Sequence, residues 1–401
     1  MKKILIAILI LLASILSIIS IENNGTIFHT KSEPIVDEKD SVEELPEDII
    51  DKTEDETTTA TLLAVGDIMF HMPQIKAAYI PELQTYDFTN AFKYVKKYIN
   101  SADISIANFE TVTCGNEIGF SGYPRFNSPI ETLIAIKGAG FDILNTANNH
   151  SLDQGKKGLI NTINYINQHE MNNIGTYKEP NNSILIEEVN EIKLAFLSYS
   201  YGFNGLESTL MEDEQSYMIN KIDEDIIKED IEKAKNLGVD SIVVFIHWGN
   251  EYEREPSQYQ MELGRKMLEW GANIILGTHP HVVQHSDVVN SNGNDNFIIY
   301  SMGNFLSNQR QATMGNKYTE DGVMINIELE KNFSDDKTII KDITYIPTWV
   351  RKYKEEEGTR YEILPIEDFL EDKRLFIQLN NNERARIDES YSDTIDVMFE
   401  Y

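Results

Sequence analysis

A chain of 401 residues with 41% hydrophobic content is long enough for one large domain or two average ones around a sizeable core. Its formal charge of −31 argues against nucleic acid as a partner, because phosphate binding requires clustered Lys and Arg. The single cysteine, Cys114, excludes an internal disulfide framework and a cysteine-based zinc site.

Lys2 and Lys3 precede Ile4 to Ile21, an uncharged run of apolar residues and serines. Its length is at the short limit for a membrane span and long for a signal-peptide core. No A-x-A-like cleavage site follows; the run exits through Ser20, Ile21, Glu22 and Asn23. Residues 1–22 therefore read as a single-pass signal-anchor with the lysines inside and the bulk of the chain extracytoplasmic. A cleaved secretory signal is the alternative. One lone cysteine in an exported protein fits a bacterial envelope protein that does not use disulfides. Residues 23–60 are poor in aromatics and far richer in Asp and Glu than in Lys, which predicts a disordered, self-repelling tether.

The folded part, 61–345, is predicted to open with a strand, Thr61 to Val65, that leads into Gly66-Asp67 and leaves a carboxylate at its C-terminal edge. A helical stretch, Thr89 to Asn100, precedes a second strand, Asp103 to Ala107, ending on Asn108-Phe109-Glu110. A loop carrying Arg125 leads to a helix, Ile130 to Ala139, stopped by Gly140. The third strand, Asp142 to Thr146, ends on Asn148-Asn149-His150-Ser151-Leu152-Asp153. Asn is a possible neutral oxygen ligand, His a proton donor or ligand, and Asp a ligand or orienting partner. A helix, Lys156 to Gln168, follows, then a hairpin of Ser183 to Val189 and Ile192 to Ser198 turning at Asn190-Glu191. Tyr199 to Asp223 reads as a long aromatic, acidic loop.

After a helix from Glu224 to Leu237, the run Ser241 to Ile246 is short and rich in Val and Ile, a buried strand ending on His247. Ser257 and Gly271 bracket the next helix, which ends at Trp270. Asn273 to Leu276 then delivers Gly277-Thr278-His279-Pro280-His281. Three histidines at two strand ends, two of them spaced H-x-H, favour a metal over three separate structural histidines. Trp248 reads as a packing residue. A strand from Phe297 to Tyr300 ends near Asn304. Gly322 to Leu329 and Thr338 to Tyr345 alternate like antiparallel strands, and an extension, 346–401, ends in a surface helix from Asn381 to Val397.

Asp67, Glu110, Asn149, His247, His279 and His281 thus lie just past five core strands, the edge where open α/β sheets form ligand sites. Oxygen and imidazole donors without thiolate suit Mn, Fe, Zn or Mg, singly or as a pair.

The motifs GDIMF, NFE, NNHSLDQG, HWGNEY, GTHPH and YSMGNF together resemble the bacterial capsule-synthesis CapA family, over about Thr61 to Leu329. That family is associated with poly-γ-glutamate capsules and belongs to the calcineurin-like metallophosphoesterase superfamily. The resemblance implies a four-layer α/β/β/α sandwich with two divalent ions at one edge. It assigns Asp67, Asn149, His247, His279 and His281 as ligands, Glu110 as the bridging acid, His150 as proton donor and Asp153 as its orienting partner. The superfamily's D-x-H motif is broken, since position 69 is Met and His71, four after Asp67, is not an equivalent. Asn108, Arg125, Glu251 and Asn304 are expected to contact substrate, with solvent or Arg254 as the other partner for Glu251.

The expected activity is a metal-dependent hydrolase or transferase of capsule biosynthesis or export, using an activated water on a phosphoryl or amide/acyl centre. Alternatives are a non-catalytic capsule assembly factor and a secreted phosphodiesterase. Capsule synthesis or export membrane proteins, or an anionic polymer, are the expected partners.

Overall fold

The computed structural model describes residues 56–180, 184–356 and 358–399. The expected anchor and most of the tether lie outside them. Among the described residues no helix is long and apolar enough to cross a membrane.

In chain order the strands are β1 (Thr57–Ile68), β2 (Tyr79–Ile80), β3 (Thr85–Tyr86), β4 (Ile104–Phe109), β5 (Ile143–Asn145), β6 (Asn172–Ile174), β7 (Leu185–Val189) and β8 (Ile192–Ser200). They continue as β9 (Ser241–His247), β10 (Ile274–Thr278), β11 (Ser286–Ser291), β12 (Asn294–Ile299), β13 (Asn304–Leu306), β14 (Asp321–Asn332), β15 (Lys337–Glu355) and β16 (Gly358–Pro365). The longest helices are α1 (Glu131–Ala139), α2 (Gly155–Gln168), α3 (Glu224–Asn236), α4 (Gln258–Trp270) and α5 (Asn381–Phe399).

One sheet runs β16-β15-β14-β1-β4-β5-β6, with β13 also paired to β1; the other runs β11-β12-β10-β9-β8-β7. Both are mixed. β1, β4, β5 and β6 are successive parallel neighbours, as are β8, β9, β10 and β12.

Strand alternation sorts the side chains into layers. Leu62 and Ala64 of β1 and Ile104 and Ile106 of β4 join Val243, Phe245, Ile274 and Leu276 of the other sheet in one core. The opposite parity, Leu63 and Val65, packs on Leu133 and Ile136 of α1. Val244 and Ile246 pack on Ile231 of α3 and Leu263 of α4. The order is therefore helices, sheet, sheet, helices, with roughly 1.5–3 kcal/mol contributed by each fully buried large aliphatic or Phe side chain.

Several boundaries move. β1 starts at Thr57, inside the expected tether, because Thr57 to Ala60 pair with Asn332 to Leu329. β15 runs straight through residue 345 and β16 continues the sheet, so the C-terminal extension begins within a strand. α5 packs one face inward, with Ile387, Val397 and Met398 buried in two cores, and leaves Asp388, Glu389 and Asp396 exposed, as a helix packed on the surface does. The stretch Thr89 to Asn100 breaks into a 3-10 turn, Thr89–Phe92, and a short helix, Lys96–Ile99, although Phe92, Val95 and Ile99 keep the expected buried face. Asn190 and Glu191 adopt φ of 50° and 65°, as a tight two-residue hairpin requires.

Candidate metal centre

The core-facing rows of the strands turn polar at one end. Ile104 and Ile106 lead to Asn108, Ile143 to Asn145, Val243 and Phe245 to His247, and Ile274 and Leu276 to Thr278. β1 reaches the same face through a bulge, its register with β4 shifting between Val65 and Asp67. Only glycine fits at position 66, where a Cβ would stand 2.0 Å from the Gly303 carbonyl oxygen. Asp67 N–H donates to that same oxygen at 3.0 Å. Beyond β10 the chain turns sharply, with His279 and His281 at φ of 101° and 57°.

These ends converge between the sheets. His281 Nδ1 is 3.0 Å from Asp67 Oδ2, and its Nε2 is 3.7 Å from Glu110 Oε1. His247 Nε2 is 3.6 Å from the same Glu110 oxygen and 3.1 Å from Asn149 Oδ1. Two buried triplets, Asp67/Glu110/His281 and Glu110/His247/His279, each hold one donor atom per residue within 4.8 Å of the others. Glu110 belongs to both. Its carboxylate stands where a bridging ligand between two ions would.

Asn108 organises this group from behind. Its amide donates to Asp67 Oδ1 at 2.7 Å and reaches Glu110 Oε2 at 3.3 Å, while its oxygen accepts from Asn145 and Asn148 at 2.8 and 3.2 Å. Asn304 is also buried, donating to the carbonyl of His281, to Gln309 and to the carbonyl of Thr319. Both were expected to touch substrate; the Asn108 amide is committed to the protein through both its nitrogen and its oxygen, whereas the Asn304 nitrogen donates to the protein and its Oδ1 is buried without a hydrogen-bond partner. Thr278, on no expected list, is hydrogen-bonded to His247 Nδ1 at 3.0 Å, which leaves Nε2 for a ligand.

Burial, then the neighbouring Asp67, pushes the Glu110 carboxyl well above its ordinary value. Burial, then His279 and His281, holds His247 well below the usual imidazole range, and burial followed by His281 does the same to His279. Neutral imidazoles are the form that ligates metal. Glu110 Oε1 and His279 Nδ1 are buried with no hydrogen-bond partner. An imidazole–carboxylate set lacking thiolate, two of whose buried polar atoms have no hydrogen-bond partner, fits Mn, Fe or Zn.

The mouth is a cavity of about 290 Å³ lined by Tyr123, Pro124, Arg125, Asn149, His150, Asp153, Asn204, Leu206 and Glu251. The expected groups Arg125 and Glu251 thus flank the same opening as His150. Arg254 does not pair with Glu251; its guanidinium stacks on Tyr318 at 4.1 Å. His150 Nδ1 is bonded to Asp153 Oδ2 at 2.8 Å, and Phe126 N–H donates to that oxygen at 2.7 Å. Trp248 is fully buried and donates to the Tyr300 carbonyl.

Position 69 supplies no imidazole. Met69 is buried, and its sulfur accepts from the Ser307 hydroxyl. His71 packs edge-on against Phe126 at 5.2 Å, and Phe126 packs against His150 at 4.7 Å. Burial, then His281 and more weakly His150, holds His71 at about 4 despite a bond to Gln74. It borders the centre although its spacing from Asp67 is wrong for the D-x-H motif. Tyr201, in the stretch read as an aromatic, acidic loop and given no role there, lies 4.5 Å ring to ring from His279.

A two-sheet α/β sandwich with a buried imidazole–carboxylate cluster at the C-terminal ends of its parallel strands defines the class of protein. The family model for the bacterial capsule synthesis protein PGA_cap matches residues 61–309, and the chain belongs to that family. The capsule biosynthesis protein CapA of Bacillus anthracis is 32% identical over 289 residues, 69% of this chain and 66% of that protein. The PGA biosynthesis protein CapA of Bacillus subtilis (strain 168) is 28% identical over 283 residues, 67% of each. The chain thus spans about two thirds of the length of these relatives. Among solved structures, it is similar to the calcineurin-like phosphoesterase YfkN of Bacillus subtilis, with TM-score 0.43 and 14% identity over 85% of this chain and 99% of that one. NAD nucleotidase of Haemophilus influenzae is similar at TM-score 0.45 and 12% identity, over 85% and 67%.

Proposed function

We propose that this chain is a membrane-tethered, extracytoplasmic factor of poly-γ-glutamate capsule assembly or export whose buried centre is a metal-dependent hydrolase or transferase. Membership of the capsule family supports the pathway. The observation that carries the chemistry is Glu110, buried, shared by two donor triplets and left with an orphaned oxygen. Divalent ions held by Asp67, Glu110, Asn149, His247, His279 and His281 would polarise a phosphoryl or carbonyl oxygen and activate a water.

The chain's own groups do the rest. His150 lines the mouth with Nδ1 committed to Asp153, so Nε2 is the nitrogen that gives a proton to the leaving group. Arg125 offers the mouth a cation for an anionic substrate, in a protein otherwise so acidic that it repels one.

A second reading, a non-catalytic assembly factor, is favoured by Met69, which packs where the superfamily places a ligand histidine. Elemental mass spectrometry of the whole purified chain separates the two. Near two equivalents of Mn, Fe or Zn in the wild type, lost in a His279→Ala/His281→Ala double variant, is the expected result. No metal even after reconstitution would overturn the hydrolase reading and leave the assembly role.

A further inference from the structure

We propose that Glu251 is a ligand of this centre, supplying from the mouth a donor that position 69 does not supply from within. The inference rests on the reading of the centre as a metal site.

Glu251 sits on the loop that leaves His247, four residues on, and the neighbouring Tyr252 N–H donates to the Pro280 carbonyl at 2.7 Å. That bond fastens the loop to the turn His279-Pro280-His281. The Tyr252 ring lies 6.1 Å from that of His281, and its hydroxyl accepts from Gln309 at 3.4 Å. The loop is therefore held over the histidines. One oxygen of Glu251 and one nitrogen of each of His279 and His281 lie within 4.8 Å of one another. Donors about 2.0–2.2 Å from one ion stand roughly 3–4 Å apart, so a small closure would seat an ion among the three. His279 Nδ1 is, in addition, buried with no hydrogen-bond partner, an independent sign of a missing ligand at this residue.

Glu251 differs from the other acids of the centre in being exposed. It shares the mouth with Arg125 and His150, within reach of solvent and substrate. An exposed carboxylate is more often only solvated, and the test is built on that alternative.

The whole chain, stripped of metal, is titrated with Mn²⁺ and separately with Co²⁺, as wild type, Glu251→Ala and Glu253→Ala. Glu253 is an exposed acid two residues along the same loop, and its loss controls for charge alone. Glu251→Ala should weaken one of two binding steps by at least roughly ten-fold, the effect known for groups that merely support a ligand. It should also alter the visible spectrum of the Co²⁺ form, whereas Glu253→Ala does neither. A Glu251→Ala protein that matches wild type in both readouts, or loses no more than Glu253→Ala, overturns the inference and leaves the centre standing. A wild type that binds neither ion overturns both.

Discussion

Glu110 occupies the most demanding position in the molecule: an acid with no exposed surface, beside a second acid. Burial and Asp67 raise its folded pKa above the unfolded value of 4.5. A carboxyl shifted in that direction contributes stability that is complete below about 4.5 and is lost as pH climbs through the folded value. Glu110→Gln removes that loss. In chelator near pH 8 the variant should resist urea better than wild type by on the order of 1 kcal/mol or more, and the gap should close toward pH ~4.5. His247 and His279, shifted down, lose stability only as pH falls below 6.5, and since His247 lies 3.6 Å from Glu110 the alkaline end is where the comparison isolates Glu110. Equal urea midpoints at the alkaline end would sink this account. Saturating metal should reverse the order, because only wild type keeps the shared carboxylate.

Much of this site was legible because ligand-type residues at strand ends have few structural reasons to recur. What was not legible is direction. Asn108 and Asn304 have the composition of substrate contacts, yet both face inward, because strand parity aims one and a close backbone approach at Gly303 seats the other beside Asp67. His71 was set aside on spacing, but the turn after β1 returns its ring to Phe126, a contact that no local pattern encodes.

At the scale of elements, the stretches read correctly were those whose signals are local. Ser257 accepts from Gln260 N–H as an N-cap, and Gly271 ends α4 in the left-handed conformation. β16 carries no alternation for a sequence reading to find: Tyr361 to Pro365 are all buried, the charged Glu362 among them. Its partner is Arg351 of β15, at 3.3 Å, and Arg351 also meets both oxygens of Glu383 in α5 at 2.9 and 3.0 Å. One guanidinium therefore joins the last two strands to the last helix. Arg351→Met should leave two buried acids without their cation and cost about 3–5 kcal/mol. The urea midpoint should fall accordingly while metal stoichiometry stays at the wild-type value. A loss below about 1 kcal/mol would mean that the pair is exchanged for water without penalty.

At the scale of the whole molecule, the centre lies on the seam between the two sheets. Asp67 and Glu110 come from the first, His247, His279 and His281 from the second. An ion bound there cross-links layers that also meet through the apolar core beside it and through polar contacts such as Ser198 with Asn145. A ligand that binds only the folded state stabilises by about 4 kcal/mol at 1,000 times its Kd. For a domain of this size that is a rise in Tm of roughly 5–10 °C. Thermal unfolding of the whole chain with saturating Mn²⁺ against chelator should show that rise. The His279→Ala/His281→Ala variant should unfold at one temperature under both conditions, since every donor triplet of the centre loses at least one member. An equal Mn²⁺ shift in both proteins would place the ion on the acidic surface instead of the seam. No shift in wild type would mean that apolar packing and the Asn108 network hold the two sheets together unaided.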